Sequence, residues 1–274
     1  MRLGVIAGNR QLPIIFSRTA KQKRRDLELI AICFKGETSP LIKNYVSKTF
    51  WLRVGQLERL LEIIRKENLK RLVMVGQISP WRIFKRKHWD RTMIEFVESI
   101  DDFRPHTFFT HLIKKLEGFG CKFIDSHTYL EEFLAYEGMM SGRDISNQLW
   151  DEINFGVSVV SRYVELDVGQ TIVVKDKTVV ALEGIEGTDR TIMRGYRLAG
   201  KGCIVLKFSK KMQDFRFDIP IVGKDTLKLL GKIKAKALVL EPQRVLILEK
   251  RKFLDFAYEL NVPVIGVKCK SHFY

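Results

Sequence analysis

Short apolar runs that lack the alternation of a half-solvated strand dominate the first half of the chain. "RLGVIAG" (Arg2–Gly8), "LELIAICF" (Leu27–Phe34) and "RLVMVG" (Arg71–Gly76) are apolar on successive residues, as strands covered on both faces must be. Between them, "LPIIFSRTAKQKRR" and "QLERLLEIIRKENLK" (Gln56–Lys70) read as helices, the second with Leu57, Leu60, Leu61 and Ile64 on one face. A longer helical region leads to "CKFIDS" (Cys121–Ser126). Strands and helices alternating at this length predict a Rossmann-like α/β domain over residues 1–134, its parallel sheet flanked by helices on both faces. Such sheets bind ligands beyond the carboxyl ends of their strands, so Gly8 and Gly76 mark the expected mouth.

Around "LAYEGMMSGRDISN" the pattern breaks into small and polar residues, and residues 135–147 are read as a linker. Residues 148–274 then form a mixed α+β domain. It opens with a helix over "QLWDEINFGVSVVSRYVEL", followed by a hairpin turning at Asp176-Lys177 in "TIVVKDKTVVALEG". A helix after "EGTD", the strand "GCIVLKF", a helix from Asp225, "ALVLEP", "RVLILEK", "KFLDFAYEL" and "VPVIGV" complete it. Within "QDFRFDIPIVG" (Gln213–Gly223) the charges of Asp214, Arg216 and Asp218 alternate with Phe215, Phe217 and Ile219. This period of two predicts a strand with one aromatic face and one charged face, ending at Pro220.

Composition narrows the partners. The formal charge of +16 over 274 residues suits an anionic ligand or surface: nucleic acid, phosphorylated compound or acidic membrane face. The densest basic clusters are Lys21–Arg25 and the basic-aromatic run Phe84–Trp89. Cys33, Cys121, Cys203 and Cys269 form no CxxC pair, which fits a reducing compartment and argues against a disulfide or zinc framework. The opening residues are too short an apolar run for a signal peptide, and no window approaches the roughly 20 apolar residues of a membrane span. A soluble, cytoplasmic protein is expected.

Common site signatures are missing. There is no GxxxxGK[ST] loop, no HExxH and no clustered histidine spacing, and "AGNRQLP" has one glycine where a dinucleotide fingerprint has three. What remains is a series of polar corners following apolar strands: "AGNRQLP" (Ala7–Pro13), "VGQISP" (Val75–Pro80), "DVGQ" (Asp167–Gln170), "EGTD" (Glu186–Asp189) and the charged face at 214–218. At the first corner, Gly8 permits close backbone approach and the next helix offers N–H groups to an anion. Any metal would be a hard cation held by carboxylates and substrate phosphates.

In this order, "GVIAGNRQLP … VGQISP … DVGQ … EGTD … QDFRFDIPIVG" resembles the LpxI-type UDP-2,3-diacylglucosamine pyrophosphatases, from Arg2 to about Val267. The first motif reads Gly8-Asn9-Arg10-Gln11 where members often have A-G-G-G or A-G-x-G, and Gln77 stands where an asparagine-like residue is expected. The resemblance implies hydrolysis of the substrate's diphosphate to UMP and 2,3-diacylglucosamine 1-phosphate in lipid A synthesis. It also implies a magnesium or manganese requirement and an active site between the two domains. The family's essential aspartate falls on Asp218. Arg216 then neutralises phosphoryl charge, with Asp218 and Asp189 as metal carboxylates. Gly8, Asn9, Arg10, Gln11, Leu12, Gly76, Gln77, Gln170, Glu186, Gly187, Thr188, Asp189, Lys207 and Asp214 are the expected substrate contacts. Because the substrate carries two acyl chains, peripheral association with an anionic inner-membrane surface is expected, with Trp81, Ile83 and Phe84 at an apolar groove or rim. A homodimer is compatible with this reading and nucleic acid is not expected. The rival classes are a basic RNA-binding module using Phe84–Trp89 and a nucleotide-dependent oxidoreductase.

Overall fold

The computed structural model describes residues 1–79, 86–102 and 104–268. Trp81, Ile83 and Phe84, expected at an apolar rim, lie outside the described residues. The chain divides into two compact units, one made of Met1–Leu130 with Asp214–Asp218, the other of Glu131–Gln213 and the chain from Ile219 onward.

The first unit is built on five parallel strands: β1 (Arg2–Ala7), β2 (Glu28–Phe34), β3 (Lys48–Leu52), β4 (Arg71–Val75) and β5 (Lys122–Phe123), in the order β3-β2-β1-β4-β5. Helices α1 (Leu12–Lys23), α2 (Leu57–Lys66), α3 (Arg91–Glu98) and α4 (Pro105–Glu117) connect them. Ile6, Ile30, Ile32, Leu72 and Met74 join the buried faces of α2, α3 and α4 in one core, Leu57, Leu60, Leu61 and Ile64 among them. The intervening Val5, Leu29, Ala31 and Val73 are buried as well, so both faces of the sheet are covered and the apolar runs need no alternation. Asp90 caps α3 by accepting the Met93 N–H at 2.9 Å. Strand order reverses between β1 and β4, the crevice in which open α/β sheets place their ligands.

The second unit holds a six-stranded mixed sheet, β6-β13-β11-β9-β7-β8. Its members are β6 (Gly138–Ser141), β7 (Thr171–Lys175), β8 (Thr178–Leu182), β9 (Ile204–Lys207), β11 (Ala237–Leu240) and β13 (Val264–Gly266). The central β9, β11 and β13 are parallel; β6 pairs antiparallel with β13 at one edge, and β7 pairs antiparallel with both β9 and β8 at the other. Helix α5 (Asn147–Tyr163) packs Ile153, Val157 and Val160 against Ile172, Val174, Ile204 and Val239. Helices α6 (Thr188–Ala199), α7 (Lys224–Lys232) and α8 (Lys250–Glu259) bury Ile192, Leu227, Leu230 and Phe253 with Val173, Val205 and Leu238. Because successive strand residues point to opposite faces, α5 covers one face and α6–α8 the other. A short parallel pair, β10 (Ile221–Val222) with β12 (Leu246–Ile247), stands apart from this sheet. Asp176 and Lys177 turn the β7–β8 hairpin with φ of 48° and 55°, the left-handed pair that a two-residue hairpin requires. Strand β6 lies within residues 135–147, the stretch read as a linker.

The expected strand at 213–219 does not form. Residues 215–217 make a tight turn, and the strand begins only after Pro220, at Ile221. The turn closes through Phe217 N–H and Asp218 N–H, which both donate to the Asp214 carbonyl at 3.2 and 3.0 Å. An aspartate that can bond its own backbone two residues on favours such turns, and this local option overrides the alternation of charged and aromatic side chains.

Candidate functional site

Gly8 follows β1 and Gly76 follows β4, so they meet at the point where strand order reverses. Gly8 N–H donates to Val75 O at 2.8 Å and Asn9 N–H to Gln77 O at 2.6 Å. A β-carbon on Gly76 would lie 2.6 Å from Asn9 O, and its φ is +85°, where only glycine sits without strain. Asn9 Nδ2 donates to Glu37 Oε2 at 2.6 Å, and that oxygen also accepts Ser79 N–H and Ser79 Oγ–H, each at 3.0 Å. Asn9 Oδ1 is buried and unpartnered. Glu37 was not singled out in the sequence, yet it ties the turn after β2 to the corners after β1 and β4. Arg10 is exposed with φ of 64°, and Leu12 is buried, so any contact from Leu12 at this corner comes from its backbone. The first turn of α1 is partly closed on itself: Pro13 has no N–H, while Ile14 N–H and Ile15 N–H go to Gln11 O at 3.1 and 3.0 Å.

The 214–218 turn also belongs to the first unit. Ser126 N–H donates to Phe215 O at 2.7 Å, and the Ser126 hydroxyl to Met74 O at 2.7 Å. Phe217 stacks on Phe109 with centroids 5.4 Å apart, and Phe215 meets His127 edge-on at 5.3 Å. Two aromatics thus anchor the turn while the charges between them organise one another. Arg216 gives Nε–H to Asp214 Oδ1 at 3.0 Å and Nη2–H to Oδ2 at 2.7 Å, and its Nη1 lies 3.7 Å from Glu117. Burial disfavours the charged form of Asp214, but hydrogen bonds from the Arg216 side chain and backbone outweigh it and hold this carboxyl below its ordinary range. Arg216 is pushed up in turn, chiefly by its bond to Asp214. Asp214 therefore braces the turn, and Asp218 closes it with its backbone N–H.

In the second unit, two expected motifs and the expected contact Lys207 converge on one carboxylate. Thr171 at the start of β7 pairs with Lys207 at the end of β9, and Glu183 directly follows β8. The Lys207 ammonium donates to Thr188 Oγ1 at 2.5 Å, and the Thr188 hydroxyl donates to Glu183 Oε1 at 3.0 Å. Gln170 N–H reaches Glu183 Oε2 at 3.1 Å, and Thr171 Oγ1 lies 3.2 Å from Thr188 Oγ1. Lys207 is only 6% exposed and Glu183 8%. Glu183 escaped the sequence reading, although an acid directly after an apolar strand obeys the same rule as the other corners. Gln170 Nε2 also bonds Gln213 Oε1 at 3.0 Å. The "EGTD" corner is a turn entering α6, with Gly187 at φ of +83°. Glu186 accepts Gly184 N–H at 2.8 Å and Arg194 Nη2–H at 2.6 Å, and the Arg194 bond, aided by backbone N–H groups, holds its carboxyl down at about 2. Asp189 is exposed, with Oδ1 accepting the Thr226 hydroxyl at 2.8 Å.

Among the described residues no group of three or more His, Cys, Asp or Glu side chains is placed to hold a metal ion, and no helix is long and apolar enough to cross a membrane. A cavity of about 190 Å³ lined by Gly142, Asp144, Tyr258 and Pro263 contains none of the expected residues. In the basic-aromatic run, Arg86 lies 5.2 Å over the Trp89 ring, and Trp89 packs against the first core. This indole is engaged in packing and is not an open platform for base stacking.

Comparison with known proteins bears on the whole chain. Residues 2–133 match the LpxI N-terminal domain and residues 136–265 the LpxI C-terminal domain. The UDP-2,3-diacylglucosamine pyrophosphatase LpxI of Caulobacter vibrioides is 22% identical across 97% of each chain. Among solved structures, glycinamide-RNase-transformylase T from Mycobacterium tuberculosis is 13% identical, with 67% of this chain and 44% of that one covered and a TM-score of 0.24. The biotin carboxylase domain of Hydrogenobacter thermophilus 2-oxoglutarate carboxylase is 11% identical, with 72% and 41% covered and a TM-score of 0.28. The chain spans less than half of either structure, and scores this low carry no argument. The two domain matches, in sequence and spanning nearly all residues, establish that this chain belongs to the LpxI family.

Proposed function

We propose that the chain hydrolyses the diphosphate of UDP-2,3-diacylglucosamine to UMP and 2,3-diacylglucosamine 1-phosphate, a step of lipid A synthesis. The observation that carries this reading is the match to both LpxI domains, joined to a relative of that activity aligned over 97% of each chain. Diphosphate hydrolysis needs positive charge against the phosphoryl oxygens and a carboxylate that orients water or holds a cation. Lys207 supplies an ammonium at a strand's carboxyl end, and Arg216 a guanidinium on the 214–218 turn. Asp218 is the carboxylate assigned to the chemistry, with Asp214 bracing Arg216 beside it. Gly8 and Gly76 let backbone approach the ligand closely at the β1/β4 corner.

Magnesium fits the donor chemistry. It takes one or two carboxylates, keeps several waters and draws its remaining ligands from substrate phosphates, so it requires no three-carboxylate cage. Asp218 is the residue that would hold it, and when bound the ion would neutralise charge on the phosphoryl oxygens. The substrate's acyl chains and the +16 charge favour work at an anionic membrane surface. The test is direct: purified chain, UDP-2,3-diacylglucosamine in mixed micelles and magnesium should release UMP and the sugar 1-phosphate in equal amounts, and EDTA should stop the reaction. No UMP above the enzyme-free rate would refute the assignment.

A further inference from the structure

A buried ammonium and a buried carboxylate usually meet directly, because each relieves the other's desolvation. Here a hydroxyl stands between them. Thr188 has one proton, and it points to Glu183 Oε1 at 3.0 Å, so both oxygen lone pairs face away from that carboxylate. Lys207 Nζ meets one of them at 2.5 Å, and the Thr171 hydroxyl at 3.2 Å meets the other. The second Glu183 oxygen is engaged by Gln170 N–H at 3.1 Å, which fixes the carboxylate's rotation. A β-carbon on Gly169 would lie 2.1 Å from Glu183 O, and the Tyr163 hydroxyl also donates to that carbonyl. The backbone carrying the carboxylate is held as firmly as its side chain.

We infer that Glu183 is the positioning residue for the reaction: acting through Thr188, it holds the Lys207 ammonium in place at the carboxyl end of β9. The inference rests on the proposed hydrolase reading and deepens it, since none of the expected substrate contacts included Glu183. It also changes the part given to Thr188. With its proton committed to Glu183, this hydroxyl receives a hydrogen bond from Lys207 and has none to give a phosphate.

Glu183→Gln keeps the shape and removes the charge, and Thr188→Val keeps the shape and removes the relay. Each should lower kcat on the order of 10–100-fold with KM within about threefold, as loss of an outer-shell partner does. Thr188→Ser restores the hydroxyl and should recover most of the turnover. Combined with Lys207→Gln, neither loss should multiply, because all three act through one ammonium. The ¹⁵N resonance of the Lys207 ammonium gives a readout independent of turnover: a resolved signal in the parent chain that broadens away in Glu183→Gln and Thr188→Val. That pattern without UMP release would sink the hydrolase reading and leave the relay standing. Losses that multiply with Lys207→Gln, an ammonium signal unchanged in both variants, or variants that lose only folded protein while turnover per folded molecule stays at the parent value would each overturn the inference.

Discussion

A β-carbon added to Gly8 would lie 2.3 Å from the carbonyl oxygen of Gln77, inside the distance any real contact tolerates. The β1 and β4 corners are therefore packed backbone against backbone, and Gly8 is fixed by sterics before any ligand is considered. Gly8→Ala should destabilise the chain by about 1–3 kcal/mol or more, because neither backbone can yield without breaking the Gly8–Val75 and Asn9–Gln77 hydrogen bonds. Gly187→Ala is the control: its φ is +83° but nothing lies within 4 Å of the new carbon, so only the left-handed penalty of about 1–2 kcal/mol applies. Urea unfolding of the two variants beside the parent measures the difference.

The titration of Asp214 should depend on Arg216. Burial is the largest influence on this carboxyl and raises its pKa, yet Arg216 brings it below the ordinary 3.8. In the parent chain its ionisation therefore stabilises the fold fully above the unfolded value, and that contribution is lost as pH falls through the lower folded value. In Arg216→Ala the side-chain bond and its charge are lost while the backbone N–H of residue 216 and His106 remain to oppose burial, so the pKa should rise from its folded value. Ionising Asp214 would then contribute less to the stability of the folded state at neutral pH. Carboxyl ¹³C titration of both proteins checks the direction, and a midpoint that stays low in Arg216→Ala would show that another group holds it.

Much of the fold was legible because burial on both faces leaves a simple mark. Val5, Ile6, Leu29, Ile30, Val73 and Met74 are all buried, and runs of that kind have few other uses. The mark fades where a strand is half exposed: "KTFWL" of β3 was not read as a strand, and four of its five residues are not buried. The 214–218 segment misled for a different reason. A period of two states which side chains alternate, but an aspartate that caps its own turn and two phenylalanines that find Phe109 and His127 produce the same pattern without a strand. Glu37 and Glu183 were both missed, Glu37 because its partners are distant in sequence. Glu37 bonds Asn9 28 residues away and Ser79 42 residues away. Both follow strands, β2 and β8, that were recognised, so extending the polar-corner rule to every strand end would have found them.

Cys33, Cys121 and Cys203 should be unreactive in the folded protein. Cys33, Cys121 and Cys203 are all buried. Burial pushes the Cys33 thiol up to about 12 and raises the other two as well, while the thiolate is the reactive form. Iodoacetamide at pH 8 should leave these three unmodified in native protein and alkylate them in urea, as peptide mass mapping would show. Rapid native labelling of Cys33 would mean that β2 opens far more readily than its burial allows.

Dependence of the hydrolysis on Asp218 is tested with the Asp218→Ala variant. Asp218 sits on a turn closed by its backbone N–H to Asp214 O at 3.0 Å, a bond that alanine keeps, so the fold should survive. A carboxylate that orients water or holds magnesium acts on the transition state, so turnover should fall more than affinity, on the order of 10²–10⁴-fold. Asp214→Ala, which loses only the brace on Arg216, should cost less. The measurement is UMP release from UDP-2,3-diacylglucosamine, with substrate affinity and the thermal transition recorded on the same preparations. Asp218→Ala should be a folded, substrate-binding protein with almost no turnover; a variant keeping more than about a tenth of the parent's turnover, or one that no longer folds, would overturn the role given to Asp218.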